Sequence, residues 1–88
     1  DGRALAIKAI KSGDSITSGR LKSLNKQYLR YGRIEAKIRT ENGMQSGVWP
    51  AFWMMGNDIE SGAPWPYCGE IDIMEQKCRA ECYWNTTL

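Results

Sequence analysis

Histidine is absent from this 88-residue chain, and cysteine and proline occur only three times each. Without an imidazole, neither a histidine-based catalytic triad nor an all-imidazole metal site is available within the segment. Cys68, Cys78 and Cys82 cannot all pair with one another, and they lack the fourth ligand of a tetrahedral zinc site. A Cys78–Cys82 bond, a bond from one of them to Cys68, or free buried thiols all remain open. No apolar run reaches membrane-spanning length. The net charge of +2 is too small to point to nucleic acid or to an anionic membrane surface. Length is short as well: sandwich domains of enzymes commonly run to about 200–250 residues, and a chain of this size buries only a modest core. With no initial methionine and no apolar leader, it is expected to be part of a larger domain.

What is left to carry chemistry is carboxylate, and it is concentrated in one stretch. Gly69 to Glu75, GEIDIME, places Glu70, Asp72 and Glu75 within six residues. Ile71, Ile73 and Met74 favour a strand, and Gly69 punctuates its start. Side chains alternate along a strand, so Glu70 and Asp72 share a face while Glu75 falls on the other. A β-bulge at Ile73 or Met74, where two residues oppose one on the neighbouring strand, returns Glu75 to their side. No cation inside the motif offsets three aligned carboxylates, whereas cleavage of a sugar bond uses such an array. One ionised glutamate acts as nucleophile and one protonated glutamate as acid, with the carboxyl groups about 5–5.5 Å apart in retaining hydrolysis. At about 3.3 Å per residue the glutamate backbones stand roughly 13 Å apart, so strand curvature and two long side chains must close the gap. Asp72, between them, can hydrogen-bond the nucleophile and hold a proton.

The chain upstream reads as strands and turns. Leu5 to Lys11 alternates loosely and Gly13-Asp14 signals a turn; residues 15–30 suggest another short strand and a polar connection without chemistry. From Tyr31 to Arg39, Ile34, Ala36 and Ile38 alternate with Arg33, Glu35, Lys37 and Arg39, the pattern of a strand with one buried and one wet face. Asn42-Gly43 is the strongest hairpin dipeptide. It leads into Val48 to Met55, where Trp49 and Trp53 share one face and Phe52 and Met54 the other, a strand apolar on both sides. Either tryptophan serves as core filler or as a platform for a pyranose ring. Gly56 to Cys68, with Pro64 and Pro66, reads as a long loop beside the acidic strand, a place where function concentrates. Asn85-Thr86-Thr87 opens a further strand and matches a glycosylation acceptor, a pattern frequent by chance.

GEIDIME, preceded by YGRIEAKIR at 31–39, GVWPAFWMMG at 47–56 and Trp65-Pro66, resembles glycoside hydrolase family 16, especially its laminarinase-like members. Four blocks in the family's order extend the likeness over roughly residues 17–76. The resemblance implies an all-β jelly-roll sandwich with a concave substrate-binding sheet, residues 1–88 being the active-site portion of the catalytic domain. It implies Glu70 as nucleophile, Asp72 as its assistant and Glu75 as general acid/base. The longer, bulged motif, with Met74 as the extra residue, looks like the branch acting on β-1,3-glucans. By the same likeness Trp53 stacks on sugar, Trp65 lines the subsite next to the scissile bond, and Glu35 either faces the cleft or belongs to a charged outer face. Lys37 stands where many relatives have arginine, which weakens any bidentate contact there. The implied protein is a secreted, extracellular retaining endo-β-1,3-glucanase, monomeric at full length, with a polysaccharide partner and neither nucleic acid nor membrane. No cofactor is required, and the calcium that some relatives bind cannot be placed on any residue. Two alternatives stand beside it: a non-catalytic β-glucan-recognition protein on the same fold, and a family hydrolase acting on agarose or another galactan.

Overall fold

A computed structural model describes residues 2–41, 45–79 and 81–87. The described chain is all-β, its strands pairing only in antiparallel fashion, and it forms two compact units, Asp1–Gly32 and Arg33–Leu88. None of its helices is long and apolar enough to cross a membrane.

In the first unit β1 (Ile10–Ser12) and β2 (Ser15–Thr17) form a hairpin in which Ser12 opposes Ser15. The turn is the expected Gly13-Asp14 pair. Gly13 has φ +60° and Asp14 has no positive φ, the pattern of a two-residue turn whose first central position needs glycine. The strand expected over Leu5–Lys11 is shorter than its alternation suggested. Only residues next to the turn have a partner across the hairpin, and Leu5 and Ile7 stay exposed. Farther on, the Ser23 carbonyl accepts from the amides of Lys26 and Gln27, closing a turn around Asn25.

The second unit is a three-stranded sheet of β3 (Ala51–Met55), β4 (Glu70–Cys78) and β5 (Cys82–Thr87), with β4 in the middle. The described residues that are buried, Asp72, Glu75, Gln76 and Cys78, all belong to this central strand, because only it is flanked on both edges. The strand predicted over Tyr31–Arg39 does not form. An extended segment needs a ladder partner, and none is present for it among the described residues. Its ion pairs join side chains two apart, Arg33 to Glu35 at 2.6 Å and Arg39 to Glu41 at 3.1 Å, as on one side of an extended chain. Asn42-Gly43 lies outside the described residues. The pairing of β3 with β4 continues past Ala51, since the Gln76 amide donates to the Pro50 carbonyl and the Cys78 amide to Val48. Pro50 has no N–H to return a bond, so the regular ladder starts at Ala51 and not at Val48.

Gly56 to Cys68 is a loop, as its turn residues indicate, with a 3-10 turn at Asn57–Glu60. Its ends are tied together by the Gly56 amide donating to the Gly69 carbonyl at 3.0 Å. Glycine is required at both ends. A Cβ on Gly56 would lie 1.7 Å from the Cys68 carbonyl oxygen, and Gly69 has φ +78°. Within the loop the Tyr67 amide donates to Pro64 and the Gly69 amide to Pro66, and the Trp65–Pro66 peptide is cis. At the far end of the sheet Cys78 opposes Cys82 across the β4–β5 hairpin and the two form a disulfide, while Cys68 is free and half-buried.

Candidate active site

The acidic motif forms the first six residues of β4, and its bulge is present. Against β3, Met55 opposes Glu70, Trp53 opposes Asp72, Phe52 opposes Met74 and Ala51 opposes Glu75. Five residues of β3 thus span six of β4. Against β5, Asp72 faces Thr87 and Glu75 faces Asn85, which leaves Ile73 and Met74 opposite Thr86 alone. The extra residue as β3 sees it is Ile73, not Met74, because Met74 keeps its apolar pairing with Phe52. The Thr86 hydroxyl donates to the Ile73 carbonyl at 3.3 Å, occupying a group that the bulge takes out of the ladder.

The one-residue offset places Glu70, Asp72 and Glu75 in a row on one face, with Trp53 and Ala51 beside them on β3 and Asn85 and Thr87 on β5. Asp72 and Glu75 are buried and Glu70 is half-buried. The opposite face carries Phe52, Met54, Ile71, Met74, Gln76, Trp84 and the disulfide.

Glu75 has two partners beside it. The Trp49 indole N–H donates to its Oε1 at 2.9 Å. Lys77, two residues on and therefore on the same face, brings its Nζ to 3.9 Å from Oε2 and to 4.1 Å from the Trp49 ring centroid. Lys77 is the cation that the motif itself lacks. Neither partner was evident from residue type, although a signal existed: once the bulge restores Glu75 to the acidic face, strand parity carries Lys77 with it and places Trp49 across from Lys77. Trp49 is thus neither simple core filler nor a free platform, because its edge is committed to Glu75. A depression of about 340 Å³ lined by Lys77, Arg79, Tyr83, Trp84 and Asn85 adjoins this end of the row.

The other candidates lie as follows. Trp53 is half-buried directly across from Asp72. Trp65 is exposed on the loop that leads into Glu70. Glu35 is exposed, and its hydrogen bond and ion pair are both with Arg33; none of its contacts joins it to the carboxylate row. Among the described residues no group of three or more Cys, Asp or Glu is placed to hold a metal ion.

Paired carboxyl groups on one face of a strand are a feature of glycoside hydrolases, which divide nucleophile and acid between two such groups. Comparison with known proteins narrows this class. The chain belongs to glycosyl hydrolase family 16, whose family model matches residues 2–85, and the all-β jelly roll is the fold of that family. It is 38% identical over 91 aligned positions to a keratan-sulfate endo-1,4-beta-galactosidase of Sphingobacterium multivorum, covering 98% of this chain and 21% of the relative. It is 40% identical over 89 positions to glucan endo-1,3-beta-glucosidase A1 of Niallia circulans, covering 90% and 12%. A beta-1,3-glucan-binding protein of Penaeus monodon is 39% identical over 62 positions, covering 70% and 16%. The chain therefore spans about a fifth or less of the length of these relatives. No solved structure matches it significantly.

Proposed function

We propose that this chain carries the catalytic strand of a retaining endo-β-glucanase that cleaves β-1,3-glucan. The observation that supports the reading most directly is the bulge, which sets Glu70, Asp72 and Glu75 on one face of the strand. Glu70 attacks the anomeric carbon while Glu75 gives its proton to the departing glycosidic oxygen, forming a glycosyl-enzyme. Glu75 then takes a proton from water, which attacks the same carbon and releases Glu70. Asp72 stands between the two and hydrogen-bonds Glu70 as its charge changes. Trp53 and Trp65 supply stacking surface for the sugar rings, and Glu35 a polar contact to their hydroxyls. The substrate is an extracellular polysaccharide and the protein a secreted monomer.

The experiment is reducing-sugar release from laminarin, lichenan and agarose by the full-length protein and its Glu70→Gln and Glu75→Gln variants. Laminarin is expected to be cleaved best. Loss of the general acid in Glu75→Gln should cost about 10²–10⁴ in kcat. Binding of laminarin without cleavage of any of the three polymers would replace this reading with a recognition role, for which the glucan-binding relative is the precedent. Preference for agarose would shift it to the galactan-cleaving members, for which the galactosidase relative stands.

A further inference from the structure

We infer that Trp49 and Lys77 are positioning residues for Glu75, locking one of its carboxyl oxygens so that the transferable proton is carried by the other. The inference rests on the reading of Glu75 as acid/base. An indole N–H is a donor only, so its 2.9 Å bond requires Oε1 to act as acceptor in both protonation states. In a carboxylic acid the carbonyl oxygen accepts better than the hydroxyl oxygen. The proton of Glu75 is thereby assigned to Oε2, and the sugar oxygen that receives it must approach from that side. Lys77 pairs with this oxygen by charge alone, because 3.9 Å is too long for a hydrogen bond. It acts also on the tryptophan: its ammonium lies over the ring at 4.1 Å, an attraction to the ring's negative face. The indole is held at its edge by Glu75 and on its face by Lys77. The Glu75 side chain is only 11% exposed, so little room remains for it to turn and exchange its two oxygens. Glu75 and Lys77 lie on β4 and Trp49 on the segment that leads into β3, and their alignment depends on the bulge, since Trp49 and Lys77 reach Glu75 only when it lies on their face.

The test uses the full-length protein and two substrates that differ in their need for a proton. Laminarin has a poor leaving group and needs acid assistance; a dinitrophenyl β-laminaribioside releases a phenolate that departs unprotonated. Trp49→Phe keeps a ring for Lys77 and removes the N–H. It is expected to lower kcat on laminarin about tenfold with KM changed by less than about twofold, while kcat/KM on the aryl glycoside stays within about twofold of the parent. Lys77→Gln, at a half-exposed side chain, should show the same split at about threefold, and it decides the matter should Trp49→Phe fail to fold. Equal loss on both substrates in the folded variants, or undiminished laminarin cleavage, overturns the positioning role. Glu75→Ala separates this from the parent reading. If it abolishes laminarin cleavage but spares kcat/KM on the aryl glycoside, with a burst of phenolate followed by slow turnover, Glu75 is the acid whatever Trp49 does. If it cleaves laminarin at the parental rate, the acid/base reading falls and the positioning role with it.

Discussion

Replacing Gly56 with alanine sets two opposing effects against each other, and the structure decides between them. Gly56 has φ −60° and ψ 138°, extended values that alanine adopts freely, so reduced freedom of the unfolded chain argues for a gain of about 0.4–1 kcal/mol. The space argues the other way. The new methyl carbon would stand 1.7 Å from the Cys68 carbonyl oxygen, where real Cβ atoms essentially never come closer than 3.0 Å. The obstacle is backbone, not the end of a flexible side chain, so the two strands of the loop neck must separate by about 1.3 Å. Overpacking of this kind costs about 1–3 kcal/mol. The same separation stretches the 3.0 Å bond from the Gly56 amide to Gly69, worth about 1 kcal/mol more. The net expectation is a destabilisation of about 1–3.5 kcal/mol, after the entropic gain is subtracted. Urea unfolding of parent and variant, compared at equal m-values, measures it. Gly47→Ala is the control: it has φ +90° but nothing within 4 Å of the added carbon, so it should cost only backbone strain, about 1 kcal/mol. A Gly56→Ala protein as stable as the parent, or more so, would refute the steric argument.

Two further outcomes concern the face away from the carboxylates. The Cys78–Cys82 bond closes a ring of only five residues, so the Cys78→Ala/Cys82→Ala variant should lose about 2 kcal/mol by the loop-entropy relation, read by chemical unfolding. Its kcat on laminarin should be unchanged, because the bond lies on the opposite face. The buried Oε1 of Gln76 has no hydrogen-bond partner among the described residues, so Gln76→Met should raise stability by about 1 kcal/mol; a lower melting temperature would show that the amide is satisfied elsewhere in the full-length protein.

Much of the site was legible from side-chain parity alone. Glu75 is out of phase with Glu70 and Asp72 by one residue, and a single bulge at Ile73 or Met74 was the local correction available. The structure contains it. What parity could not give was the partner of each strand. Tyr31–Arg39 alternates as cleanly as any stretch of the chain, yet alternation states only which face would be buried, not whether a neighbouring strand is present to pair with it. Among the described residues the stretch pairs with no strand, and Glu35 meets Arg33. The opposite error occurred beyond Gln76, where the quoted motifs end although the family match runs on to residue 85. There β4 continues to Cys78, and β5 already includes Cys82 to Trp84 before Asn85. The disulfide was one of several pairings open to three cysteines, and the hairpin that puts Cys78 opposite Cys82 selected it. Trp49 was undecided because a tryptophan's role depends on what meets its N–H, and the Glu75 that meets it lies 26 residues away.

The bulge has one more consequence, for how the strand tolerates change in length. Ordinarily one additional residue in a strand inverts every side chain that follows and ruins the pairing downstream. Here Met55 with Glu70 and Ala51 with Glu75 are matched on either side of the offset as though nothing had been added. Motif length and sheet orientation are independent of each other at this place. The six-residue acidic stretch occupies the span of five residues of β3, so the extra residue is absorbed within the strand and leaves the pairings on either side aligned.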